Sequence, residues 1–150
     1  MATDLVLAIF HHLLMFTLAA ALAAEAVLVR PGLAGGAVMR LGRIDRVYGL
    51  VAGLILVVGF SRVFFGLKGW EFYIYNWAFW VKIGAFVTVG LLSIMPTARI
   101  ALWQRALRDD PAYAVPGTEI AHAQRFLRAQ GAVFLLIPIF AAVMARGIGI

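Results

Sequence analysis

The stretch from Leu5 to Val29, LVLAIFHHLLMFTLAAALAAEAVLV, decides the fold. A helix needs roughly 20 apolar residues to cross the hydrocarbon of a bilayer, and this run supplies them. Its ionisable groups are His11, His12 and Glu25, and Arg30-Pro31-Gly32 closes it. In lipid a helix satisfies its backbone hydrogen bonds internally, whereas an open strand leaves an edge unpaired. The stretch therefore predicts a transmembrane helix. The small residues from Ala19 to Ala24 also imitate a signal-peptide cleavage region, but no positive charge precedes the apolar run. That favours a retained span.

Three similar runs follow. One starts near Arg46-Val47-Tyr48 and ends around Phe65-Gly66, and one crosses from Trp77 to Met95. The last enters near Phe126 and leaves at Arg146-Gly147. The expected architecture is all-α: a polytopic membrane protein and a single four-transmembrane-helix bundle over residues 1–150, with spans at about 5–29, 46–66, 77–97 and 126–146. Trp70 to Asn76 reads as an aromatic loop between the second and third spans. Pro96 predicts a kink or break. Beyond it an interfacial amphipathic segment through Leu107 is expected between helices 3 and 4, stopped by Asp109-Asp110-Pro111. Pro116-Gly117-Thr118 predicts a fresh helix start with Thr118 as N-cap and Glu119 favoured by the helix dipole.

Composition agrees. Of 150 residues, 64% are hydrophobic, too large an apolar share for a soluble domain of this length to hide. The absence of cysteine excludes disulfides, iron–sulfur clusters and thiolate sites. The net charge of +6 comes mostly from arginines that flank spans, so it reads as a topology signal and anionic-lipid contact, with no nucleic-acid partner implied. Arg30, Arg40, Arg43 and Arg46 crowd the first loop, and Arg99, Arg105, Arg108, Arg125 and Arg128 fill or flank the third. The opposite side has Lys68 in its loop. The positive-inside rule then predicts a multi-pass protein of the bacterial inner (plasma) membrane, with loops one and three cytoplasmic and both termini periplasmic.

Polar groups inside a bilayer are expensive and commonly face a protein interior. His11 and His12 fall in the outer half of the first span. Arg62 closes the second, Lys82 follows Trp77 and Trp80 in the third, and Arg146 ends the fourth on the same side. Imidazole ligates haem iron, and propionates take basic partners, so these residues compose a candidate haem b site. His11 or His12 would bind the metal, and Arg62, Lys82 or Arg146 the carboxylates. Adjacent histidines project about 100° apart, so one of them would serve. His11 shares a stripe with Leu14, Leu18, Leu22 and Glu25, and His12 shares one with Ala19, Ala23 and Ala26; either stripe could face the bundle. The plainer alternative is that Arg62, Lys82 and Arg146 snorkel to headgroups and one histidine bonds a neighbouring helix. Glu25 calls for a partner such as Arg30, Arg43, Arg46 or Arg99. His122, beside Glu119 and Arg125, reads as interfacial. The rings from Trp70 to Trp80 form an interface belt. No phosphate loop, dinucleotide fingerprint, zinc spacing or nucleophile motif is present.

Three local matches carry a resemblance: His11 followed by Thr17 in the first span, Arg46-Val47-Tyr48 at the start of the second, and Trp80-Val81-Lys82 at the start of the third. With span number and loop pattern, they resemble an uncharacterised family of small four-helix bacterial inner-membrane proteins. That family is distantly similar to the copper-resistance-D (CopD-like) domain and to the HemJ-type protoporphyrinogen oxidase. The HemJ resemblance implies haem at His11, with His12 as the alternate, and a functional, catalytic role for Lys82. The doubled histidine, Glu25 and the Arg-Gly ending depart from that pattern. The expected function is a haem b-binding redox protein, an oxidoreductase passing electrons from a porphyrin-type substrate to quinone. The alternatives are an accessory subunit of a larger membrane complex and metal-ion transport. A homo-oligomer is expected, because four helices shelter a large cofactor poorly.

Overall fold

The computed structural model describes residues 2–65 and 69–147. Gly66 and Lys68, named above for the second span's end and its loop, lie outside them. Six helices follow in order: α1 (Ala2–Leu28), α2 (Gly35–Phe65), α3 (Gly69–Ile74), α4 (Trp77–Asp109), α5 (Gly117–Phe134) and α6 (Leu136–Ala145). No strand occurs among the described residues. Taken with α5 and α6 as one crossing, four segments are long and apolar enough to span a membrane. Only 17–22% of each apolar window is buried inside the bundle, and large side chains such as Phe16, Leu50, Val57 and Leu91 face outward. Lipid takes the place of a core on those faces.

The spans alternate in direction, so Ala2, Phe65, Trp77 and Ala145 mark one end of the bundle and Leu28, Gly35, Asp109 and Gly117 the other. We call these the terminal end and the arginine-rich end. The arginine-rich end is tightly packed. Val29, Leu33, Val38, Leu41, Ile100, Trp103, Ile120, Ala123 and Leu127 are essentially inaccessible there. Its two connections are tied together: Val115 N–H donates to the Leu33 carbonyl at 3.0 Å, beside an antiparallel bridge of Ala34 with Ala114. The terminal end is more open. On α1 the fully buried residues begin only at Leu18.

Several local expectations change. α2 begins at Gly35, so Arg40, Arg43 and Arg46 lie on its first turns instead of in a loop. The hydrophobic stripe Val38, Leu41, Tyr48, Val51, Ile55 extends the helix to that point. The aromatic loop contains a helix, α3, and Asn76 then caps α4 by accepting from Ala78 N–H at 2.9 Å. α4 runs through Pro96 without a break, so Thr97 to Leu107 prolongs the third span. That stretch stays amphipathic, burying Ile100 and Trp103 while Arg105 and Arg108 face out. Asp110 is the C-cap, in line with the Asp109-Asp110-Pro111 stop.

Thr118 does not cap α5; Pro116 holds that position, with no side-chain cap. Glu119 instead accepts from Trp103 Nε1 at 2.7 Å and faces Arg99 at 3.7 Å. The last crossing is interrupted at Leu135. Pro138 lacks an N–H and its ring crowds the carbonyl of Phe134, four residues earlier, which accounts for the interruption there.

Candidate functional site

The terminal end holds the first polar layer. His11 lies on the inward stripe of α1, with Leu18, Leu22 and Glu25 buried further along it. Its ring is half-buried, its Cε1 edge rests over Gly59 of α2, and its Nδ1 is buried without a hydrogen-bond partner. His12 points out of the bundle. Its Nδ1 donates back to the Ala8 carbonyl at 2.6 Å, and its ring meets that of His11 edge-on at 6.3 Å. The two candidate stripes are thus distinguished, since Ala23 and Ala26 on the His12 side are exposed.

Arg62 and Lys82 are both within electrostatic range of the His11 ring, and of each other. Lys82 stands over the Phe79 ring, 5.2 Å from its centroid, a cation–π arrangement that holds the ammonium inside the bundle. The Nε of Arg62 is buried with no partner, as is the Nδ2 of Asn76. Buried polar atoms are nearly always paired in native proteins, so three orphans in one layer call for a partner. Tyr73 of α3 closes the layer. Burial holds its phenol above its ordinary pKa, and the nearby Arg62 guanidinium works against that shift. Asp4 is the carboxylate in range of Tyr73, but it forms no ion pair with these cations.

The remaining candidates stand apart. Arg146 is exposed just beyond α6, with no side-chain hydrogen bond or ion pair to the layer among the described residues. Glu71 is exposed and forms no ion pair among the described residues. His122 is exposed on α5 and packs edge-on against Phe126 at 5.4 Å. Trp70, Trp77 and Trp80 are exposed around the terminal end, as an interface belt requires; Trp80 Nε1 donates to the Ile74 carbonyl at 2.9 Å.

A second polar layer lies toward the arginine-rich end. Glu25 is 2% exposed, and its Oε1 has no partner. None of the arginines expected to neutralise it does so: the one ion pair among the described residues joins Arg99 to Glu119, and Arg46 Nε donates to the Gly42 carbonyl. Glu25 is instead within electrostatic range of a second carboxylate, Asp45 of α2. Asp45 Oδ1 accepts from Thr97 Oγ1 of α4 at 2.6 Å. Beside them Gln130 Nε2 of α5 donates to the Tyr48 hydroxyl at 2.7 Å, while Gln130 Oε1 is a further orphan.

Sequence reasoning missed Asp45, Tyr48 and Gln130 as members of a site. The signal was present. Asp45 continues the buried stripe of α2, and Gln130 falls on the Ile120, Ala123, Leu127, Phe134 stripe of α5 at helical spacing. A polar residue on a buried face is more informative than a charge among other charges.

The two layers are well separated. His11 and Glu25 are fourteen positions apart on α1, about 21 Å at the helical rise. Two surface grooves lie near the second layer or beyond it. One, of about 460 Å³, runs between α2 and α4 past Asp45, Tyr48, Ser93 and Thr97. The other, about 620 Å³, runs between α1 and α2 beneath Arg40 and Arg43.

A family model described as "Predicted membrane protein (DUF2214)" matches residues 3–149. No curated protein and no solved structure matches the chain.

Proposed function

The chain belongs to this family of membrane proteins, and we propose that its terminal-end layer is an anion site that holds haem b. The observation that carries this reading is the set of unpaired groups in one layer: His11 Nδ1, Arg62 Nε and Asn76 Nδ2, with the Lys82 ammonium beside them. An acidic ligand with a metal centre would answer these groups together, and a haem carries both carboxylates and iron.

The residues present fit such a group. His11 is the iron ligand, because His12 is turned outward. Arg62 and Lys82 would hold the propionates, and Lys82 is also the catalytic candidate that the HemJ resemblance implies. Arg146 has no part in this version of the site. Bound haem supplies one-electron redox chemistry, which suits a porphyrin-type reductant and a quinone acceptor. Tyr73 and Phe79 shield the layer from water. The HemJ resemblance points the same way. No fully buried residue precedes Leu18 on α1, so a second copy or a larger membrane complex would complete the shelter around a flat macrocycle.

The arginine distribution supports a bacterial inner-membrane location, with the arginine-rich end cytoplasmic and both termini periplasmic. The site would then lie near the periplasmic face.

Haem titration into haem-free protein tests the reading. We expect one site per chain, lost in His11→Ala, retained in His12→Ala, and about tenfold weaker or worse in Arg62→Gln or Lys82→Gln. Equal binding by all four variants would refute it.

A further inference from the structure

We propose that the second layer binds one small monovalent cation, a proton or an alkali ion, through oxygen atoms of Glu25, Asp45, Tyr48 and Gln130. The inference is independent of the haem reading.

Four helices converge there. α1 supplies Glu25, α2 supplies Asp45 and Tyr48, α4 supplies Thr97 and α5 supplies Gln130. Glu25 and Asp45 are the acidic groups, and both are within electrostatic range of Tyr48. Thr97 and Gln130 are neutral, and no arginine or lysine forms an ion pair with either carboxylate among the described residues. Two neighbouring carboxylates withdrawn from water repel each other and lose hydration together. A positive charge must enter, and no protein cation among the described residues brings it.

The orphaned oxygens mark where it goes. Gln130 is fully buried, and its Nε2 is committed to Tyr48, so its Oε1 is left as a free acceptor at the cluster. Glu25 Oε1 is also free. Asp45 gives one oxygen to Thr97 and keeps the other. The donor set is all oxygen, which suits a hard cation and not a soft transition metal. A divalent ion would bring several waters or demand six or more ligands. A monovalent occupant gives up its hydration more readily among side chains buried this deeply. The groove between α2 and α4, mostly apolar but with Ser93 and Thr97 on its wall, opens Asp45 to the bundle surface.

Infrared spectroscopy of the protein in phosphatidylcholine vesicles at neutral pH tests this, in sodium-free buffer and with added sodium chloride. A protonated-carboxyl C=O band that disappears in Glu25→Gln or Asp45→Asn supports the site with a proton as occupant. No such band, but sodium-dependent carboxylate shifts that Glu25→Gln or Asp45→Asn abolishes, supports it with an alkali ion. If neither carboxyl variant folds, Tyr48→Phe serves: a displaced band or an altered sodium response supports the site. A wild-type spectrum with no carboxyl band and no sodium response overturns the proposal, as does a response unchanged in every variant.

Discussion

Gln130 Nε2 donates to the Tyr48 hydroxyl at 2.7 Å, joining α5 to α2 across 82 positions of sequence. Gln130 is fully buried and Tyr48 nearly so, and the bond sits where four helices meet. Tyr48→Phe would strip the amide of its hydrogen-bond partner among the described residues, since Gln130 Oε1 is already unpaired. A buried donor left unsatisfied costs about 1–3 kcal/mol. Thermal unfolding in detergent should show that loss. The double variant Tyr48→Phe with Gln130→Leu should recover part of it, because both polar ends are then gone.

The buried Trp103 side chain should matter more than the ion pair beside it. Trp103 is 1% exposed and donates to Glu119 Oε2 at 2.7 Å, while Arg99 stands at 3.7 Å with 41% of its side chain exposed. Trp103→Ala should destabilise by about 3–5 kcal/mol through lost volume. Arg99→Ala should cost less than about 1 kcal/mol, as half-exposed pairs do. Denaturation of the two variants side by side checks the ranking.

Gly42 is the glycine of α2 that packs against α4, with the Gln104 side chain over it. A Cβ there would overlap the side-chain amide of Gln104. That amide is the far end of a flexible side chain and can swing aside. Alanine also gains roughly 0.5–1 kcal/mol over glycine inside a helix. Gly42→Ala should therefore change stability by less than about 1 kcal/mol. Gly42→Leu has no such escape and should cost about 1–3 kcal/mol by overpacking.

Membrane orientation can be read with single cysteines, since the chain has none of its own. Ala112→Cys, in the connection between α4 and α5, should react with an impermeant thiol reagent only after inner-membrane vesicles are inverted. Thr3→Cys should react from the opposite side. The reverse pattern would place the His11 layer at the cytoplasmic face.

The four crossings were legible because lipid imposes length and apolarity on every helix that meets it. The bundle's polar detail was legible only in part. His11, Arg62 and Lys82 could be assigned to one layer from their depth, and the structure brings them together; Arg146, at similar depth, stays outside. The choice between His11 and His12 needed the packing of α1 on α2. Arg40, Arg43 and Arg46 made the start of α2 look like a loop, although Val38 and Leu41 already carry its buried stripe. Asp45 was hidden for the same reason, embedded among arginines that face outward. Glu25 was recognised as needing a partner, but proximity in sequence suggested arginines, whereas the fold sets it near Asp45.

The central claim rests on His11, and the most direct measurement is the visible absorption spectrum of protein purified from haem-replete cells, oxidised and dithionite-reduced, beside His11→Ala. The account predicts a Soret band with sharp reduced α and β bands in the wild type, lost in the variant. A featureless wild-type spectrum, or a haem spectrum that survives His11→Ala unchanged, would contradict it.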